Sequence, residues 1–241
     1  MRRLLGAIQF LTIVPVRMRT VEPWKSAVLF PFVGALLGLC GGLILALAEP
    51  HFPVHLRTLF VVVFWIAVTG ALHEDGLADC ADAFRAERPR EKILEILKDS
   101  RIGAFGALAL IASVLVRWQG LAGLTLDHFP ALAAVMTISR ASIVVLARIA
   151  APATDGMGAQ FAANVSTPTA VIAASQAAAA AMWCGWRAGL AMLAAAAVVL
   201  LIGRWYFNRR IGGVTGDCLG AVSQLVEMAL LVLLSCQSCS W

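Results

Sequence analysis

The feature that most limits what this chain can fold into is the recurrence of apolar runs close to the thickness of a bilayer core. Crossing about 30 Å of hydrocarbon takes roughly 20 residues of helix. Punctuation by Gly, Pro and charge leaves seven such stretches, at about 28–48, 57–73, 103–122, 129–150, 169–184, 188–203 and 219–236. They are rich in Leu, Ala and Val and lack period-2 alternation, so their backbone can be satisfied in lipid as α-helix and not as barrel strand. A mean hydropathy of +0.85 agrees. The sequence therefore predicts an all-α, polytopic membrane bundle of about seven spans, with six to eight allowed because 57–73, 169–184 and 188–203 are short. Residues 1–241 read as one membrane-embedded domain. Leu4 to Val16, interrupted by Gln9 and ended by Pro15, reads as an amphipathic helix ahead of the first span. No small-residue cleavage site precedes Arg17 and Arg19, so a cleaved signal peptide is not expected.

Charge orients the bundle. With the N-terminus inside, fifteen of the nineteen Lys and Arg fall in inner segments: before Val28, in 74–102, at Arg148 and in 204–218. That asymmetry is the positive-inside pattern, which turns these segments to the cytoplasm. The net charge of +5 is then mostly topology, and no DNA-binding pattern accompanies it, so nucleic acid is excluded as a partner. Membrane lipid is the expected surrounding; homo-oligomerisation is left open. Six cysteines form no paired metal-binding set, and Cys236 and Cys239 are read as incidental. The Ala-rich run 173–181 reads as close helix packing.

Three polar segments share the inner side. In the first, Leu72 to Asp82, Asp75, Asp79 and Asp82 are spaced i, i+4, i+7, which puts them within roughly 60° on one helical face. Glu74 flanks them and His73 precedes it, so a further ligand is geometrically open. Carboxylates this close stay ionised together only around a cation, and all-oxygen ligands suit Mg²⁺, Mn²⁺ or Ca²⁺. In the second, Pro89 opens a helix whose Ile93, Ile96 and Leu97 form an apolar stripe; Lys98, Ser100 and Arg101 then precede a Gly-rich span start, a set suited either to phosphate oxygens or to lipid headgroups. In the third, Arg204 to Asp217, Gly212, Gly213 and Gly216 with Thr215 can form a loop that binds an anion beside Arg209, and Asp217 either caps the next helix or joins the metal site. Within the spans, Arg140 needs an anion, from substrate or from Glu227, while Arg117 beside Trp118 is placed to snorkel outward. His51, His55 and His128 fall in outer loops and carry no role.

Together these features argue for Mg²⁺-assisted transfer on a phosphorylated or pyrophosphorylated substrate. The phrases Leu72-His73-Glu74-Asp75-Gly76-Leu77-Ala78-Asp79-Cys80-Ala81-Asp82, Lys98-Asp99-Ser100-Arg101-Ile102-Gly103-Ala104-Phe105-Gly106 and Gly212-Gly213-Val214-Thr215-Gly216-Asp217-Cys218-Leu219-Gly220-Ala221 resemble the signatures of the cobalamin synthase family. Phe10-Leu11-Thr12-Ile13-Val14-Pro15-Val16 and Phe30-Pro31-Phe32-Val33-Gly34 agree, so the resemblance runs from about residue 6 to about 234. It implies transfer of the adenosylcobinamide phosphate of adenosylcobinamide-GDP to the 5′-hydroxyl of α-ribazole, or of its 5′-phosphate, with release of GMP and with Mg²⁺ as cofactor. On that reaction Asp75, Asp79 and Asp82 are the expected metal ligands, with Glu74 and Asp217 as candidate further ligands read from this chain's own residues, and Asp82, Lys98 and Arg101 act in the chemistry. Substrate contacts would come from His73, Ser100, Arg140, Arg209, Gly213, Thr215 and Gly216. Three positions depart from the family's pattern: Glu74 stands where it commonly has Leu, Ala83 where it commonly has Gly, and Gln224 where it often has Glu. A CDP-alcohol phosphotransferase is the nearest rival, but its Ala-Arg pair and its later Gly-x-x-x-Asp-x-x-x-Asp are missing. A transporter would set its charges at the bilayer midplane rather than at one face.

Overall fold

The computed structural model describes residues 2–16, 22–124 and 129–236; Arg17, Arg19, His128 and Cys239 lie outside them. The regular structure of the described residues is all helical apart from one isolated bridge. In chain order the helices are α1 (Arg2–Leu11), α2 (Pro23–Ser26), α3 (Phe30–Ala48), α4 (Val54–Thr69), α5 (Leu72–Phe84), α6 (Arg90–Ile96), α7 (Ala104–Ala122), α8 (Phe129–Ile149), α9 (Met157–Asn164), α10 (Thr167–Trp183), α11 (Trp186–Ile211) and α12 (Gly216–Leu234). Five segments among the described residues are long and apolar enough to cross a membrane: Pro23–Ala48, α7, Ala131–Ile149 within α8, α11 and α12. A sixth arises if α4 and α5, bent by 89°, count together. The chain is thus a polytopic membrane helical protein. Seven spans are expected from the sequence; the difference lies in α4 and α10, at 16 and 17 residues the shortest of the apolar helices.

Close backbone approach sets the packing. Gly34 and Gly38, one turn apart on α3, meet the carbonyls of Met136 and Leu132 on α8 so tightly that a Cβ at either would clash. Trp65 of α4 donates its indole N–H to the Leu37 carbonyl at 2.9 Å. Ala173, Ala177 and Ala181 form the buried stripe of α10, which packs on α8. Small residues at these contacts let helices approach where lipid supplies no hydrophobic drive. The N-terminal helix ends at Leu11, short of Val16, because Thr12 folds its hydroxyl back to the Ile8 carbonyl at 2.7 Å and Ile13 pairs its amide with Val68 at 2.8 Å.

The break after α4 places the polar chemistry. Gly70 and Ala71 both take left-handed conformations, with φ of 61° and 56°, and turn the chain out of α4 into α5. Left-handed backbone is costly for Ala. What holds α5 in this pose is a buried charge network. Arg117 Nη1 of α7 donates to Glu74 Oε1 of α5 at 2.8 Å and to Glu227 Oε1 of α12 at 3.3 Å. Arg140 Nη1 of α8 donates to Ser139 Oγ at 2.8 Å, Ser223 Oγ at 2.9 Å and Glu227 Oε2 at 3.5 Å. Gln224 joins it: with its amide oxygen turned to the guanidinium it accepts from Arg117 Nε at 3.0 Å and Nη1 at 3.1 Å. All are buried.

Two arginines and two glutamates therefore balance inside the bundle. Arg117 does not snorkel; 1% exposed, it turns inward because two carboxylates wait there. Of the two partners open to Arg140, the structure supplies Glu227. Replacing Glu74 by Gln leaves an uncompensated buried cation and should cost between about 1 and 3 kcal/mol. Adding Gln224→Glu on that background should recover most of it, because the new carboxylate faces the same guanidinium. Unfolding titrations of the purified protein in detergent measure both; a double variant no more stable than Glu74→Gln contradicts the network.

Candidate active site

The three polar segments do meet at one end of the bundle. Val214 donates its amide to the Ala151 carbonyl at 2.8 Å, Ala153 donates back to Val214 at 3.0 Å, and Pro152 and Val214 form a parallel bridge. Arg90, at the start of α6, then staples both loops, giving Nε to the Ile211 carbonyl at 2.9 Å and Nη2 to that of Ala153 at 2.8 Å. Its role has no signature in the sequence beyond a basic residue after Pro89. Gly76 of α5 lies against the start of α12, where an added Cβ would stand 2.7 Å from the Asp217 carbonyl.

Asp75, Asp79 and Asp82 lie on a face of α5 that is not buried, whereas His73, Glu74, Gly76, Leu77, Ala78 and Cys80 are buried. Asp75, Asp82 and Asp217 all stand near enough for their charges to act on Asp79. Thr215 is the N-cap of α12, accepting from the Cys218 amide at 3.4 Å and donating to Asp217 Oδ2 at 3.2 Å. That corrects the capping alternative for Asp217, whose carboxylate instead lines a cavity of about 370 Å³ with Asp75, Lys98, His73, Thr215 and Gly216. Phe10 of α1 and Phe161 of α9 form another wall of it, nearly parallel to each other and to Phe30 at 5.3 to 6.2 Å. The Nδ1 of His73 is buried and meets no hydrogen-bond partner among the described residues.

Asp82 sits elsewhere. Its Oδ2 accepts the Gly103 amide at 2.7 Å at the start of α7, and Gly103 and Gly106 both press on the carboxylate. The Gly-rich start that sequence reading offers to phosphate oxygens is thus filled by the chain's own anion, as a helix N-terminus favours. Asp82 lines a second pocket of about 300 Å³ with Arg85, Arg88, Arg101 and Phe105. Arg101 therefore does not face the same pocket as Lys98. It forks onto Asp99 at 2.6 to 3.1 Å, and these bonds hold the Asp99 carboxyl down at about 2, so the pair is ionised at any neutral pH.

Several expected residues are placed differently. Glu74 points into the bundle toward Arg117 rather than toward the aspartate row, and Arg140 belongs to the same buried network rather than to either pocket. Arg209 is exposed and lies over Trp205, 5.9 Å from its ring centre, because α11 continues to Ile211 and carries it outward. Gly213 is buried against the Ala151 carbonyl, so its missing side chain serves a chain crossing and not an anion. Ser100 is exposed and lines neither pocket. Among the described residues no three His, Cys, Asp or Glu side chains already close into a metal cage. Mg²⁺ does not ask for one, since it is typically held by one or two carboxylates, waters and substrate phosphates. A Gly106→Ala substitution would drive a methyl into Asp82 Oδ2 and against the Ala78 carbonyl, 3.0 Å away. It should part α5 from α7 at a cost of about 1 to 3 kcal/mol, read as a lowered unfolding midpoint; an unchanged midpoint contradicts the packing.

The comparisons with known proteins agree over nearly the whole length. The model of the cobalamin-5-phosphate synthase family matches residues 3–235. An adenosylcobinamide-GDP ribazoletransferase of Geotalea daltonii is 37% identical over 241 residues, covering 95% of this chain and 94% of the relative. Proteins of the same name from Ralstonia nicotianae and Clostridium tetani are 36% identical over 227 residues and 31% over 235, covering 87% and 94% of this chain and 84% and 93% of the relatives. No solved structure matches. With the helical bundle, the aspartate row on α5 and these matches together, the chain belongs to the cobalamin-5-phosphate synthase family.

Proposed function

We propose that the protein is an adenosylcobinamide-GDP ribazoletransferase, acting in cobalamin biosynthesis at the inner face of a prokaryotic cytoplasmic membrane. The activity is that of its named relatives, and the orientation rests on the crowding of Lys and Arg into the segments around the site. One observation carries the reading at the level of chemistry. Asp75 of α5 and Asp217 of α12 line one cavity with Lys98, and Asp79, one turn on from Asp75, stands within reach of both their charges.

The reaction joins two substrates at a pyrophosphate. The 5′-hydroxyl of α-ribazole, or of its 5′-phosphate, attacks the phosphorus that stays with cobinamide, and GMP leaves. Catalysis of this kind is mainly positioning and charge neutralisation. Asp75, Asp79 and Asp217 are the carboxylates that would hold Mg²⁺, and their oxygen-only chemistry fits that ion. When bound, the ion would offset the charge of the pyrophosphate oxygens. Lys98 supplies a positive charge on the same cavity wall. Asp82 keeps α5 registered against α7 through the Gly103 amide and is itself part of the wall of the arginine pocket. Thr215 fixes Asp217 by its hydrogen bond.

Membranes carrying the protein, given adenosylcobinamide-GDP, α-ribazole and Mg²⁺, should release GMP. Chelation should stop the release and added Mg²⁺ restore it. Asp79→Asn should lower it by about 10²-fold or more, with the variant still folded by its unfolding midpoint. GMP formation indifferent to Asp79→Asn and to chelation would contradict the proposal.

A further inference from the structure

The pocket that Asp75 lines and the pocket that Asp82 lines differ in chemistry as the two ends of the proposed reaction do. The cavity at Asp75 is walled by the rings of Phe10 and Phe161, 6.2 Å apart and nearly parallel, and by Leu97. The pocket at Asp82 is edged by Arg85, Arg88 and Arg101 around the exposed ring of Phe105, over which Arg85 lies at 5.1 Å. The segment 96–101 is the wall between them. Leu97 and Lys98 face the first, and Ile96, Asp99 and Arg101 face the second.

In-line displacement puts the attacking and leaving oxygens on opposite sides of phosphorus, so a site for this reaction needs two separate binding regions flanking the carboxylates. Resting on the reaction proposed above, we infer that the arginine pocket at Asp82 holds the leaving nucleotide, GMP, while the Phe10 and Phe161 cavity at Asp75 holds the apolar base of the incoming riboside. A nucleotide phosphate with nearly two negative charges matches forked guanidiniums. A neutral aromatic base matches aromatic and aliphatic walls. Arg101 is 88% exposed and its partner Asp99 37%; an ion pair so open to water is held weakly, and a phosphate can take Asp99's place. Arg88 instead gives Nη1 to the carbonyls of Asp82 at 2.8 Å and Ala83 at 3.4 Å, which fixes the pocket to the end of α5.

A lipid headgroup phosphate would offer these arginines the same chemistry, so the test must separate the two sources. Purified protein in nanodiscs of zwitterionic or anionic lipid is assayed for the KM of each substrate and for the inhibition constant of GMP. Arg85→Gln and Arg101→Gln, both at exposed side chains, should raise the GMP inhibition constant and the KM for adenosylcobinamide-GDP about tenfold in either lipid. The KM for α-ribazole should stay put. Phe161→Leu should do the reverse. The inference is overturned if the arginine variants leave GMP inhibition unchanged, if they abolish only a dependence on anionic lipid, or if Phe161→Leu weakens GMP as much as they do. Should the unaltered protein form no GMP, the reaction itself is wrong, and equilibrium dialysis of GMP against the same variants still decides what the pocket binds.

Discussion

A guanidinium enclosed by membrane helices must find its counter-charge among them, and the rest of this structure is arranged around that requirement. Arg117 and Arg140 enter the bundle from α7 and α8, and Glu74 and Glu227 meet them from α5 and α12. Because Glu74 lies at the start of α5, the pair pins one end of a short helix that carries three aspartates. Asp82 pins the other end through the Gly103 amide. Between these two anchors Asp75 and Asp79 are presented on the open face, with Asp217 brought alongside by the contact of Gly76 with the start of α12. The site is therefore held by electrostatics at both ends of α5 and by glycine contacts along it.

Much of this was legible in the residues. Apolar runs of helical length gave the fold class, and the i, i+4, i+7 spacing of Asp75, Asp79 and Asp82 placed them on one face because helical periodicity is local. What is not local is invisible to spacing. Glu74 sits in the same motif as the aspartates, yet its direction is set by Arg117, 43 positions away in sequence. The two departures at Glu74 and Gln224, separately puzzling, converge on one guanidinium. Only three-dimensional packing could pair them.

The glycines teach a similar lesson. Gly103, Gly106, Gly213 and Gly216 look in sequence like parts of an anion-binding loop. In space the first two press on the chain's own Asp82, Gly213 admits the Ala151 carbonyl, and Gly216 meets Gly158. Arg209 is near that loop in sequence, but α11 runs on to Ile211 because Phe207 and Ile211 bury themselves, and the helix stops only at Gly212 with φ of 78°. Helix ends depend on what the last turn packs against, which spacing does not reveal. Arg90, by contrast, has an ordinary sequence setting and an essential position, joining α6 to both loops that frame the cavity.

The central claim is that Asp75 and Asp79 of α5, completed by Asp217, form the edge at which a divalent ion meets the pyrophosphate. Binding of Mn²⁺, as a paramagnetic substitute for Mg²⁺, to the purified protein addresses it without any need for turnover. The account predicts a specific site per chain that is lost or strongly weakened in Asp75→Asn and in Asp217→Asn and retained in Arg209→Gln. Equal Mn²⁺ binding in all of these proteins would contradict it.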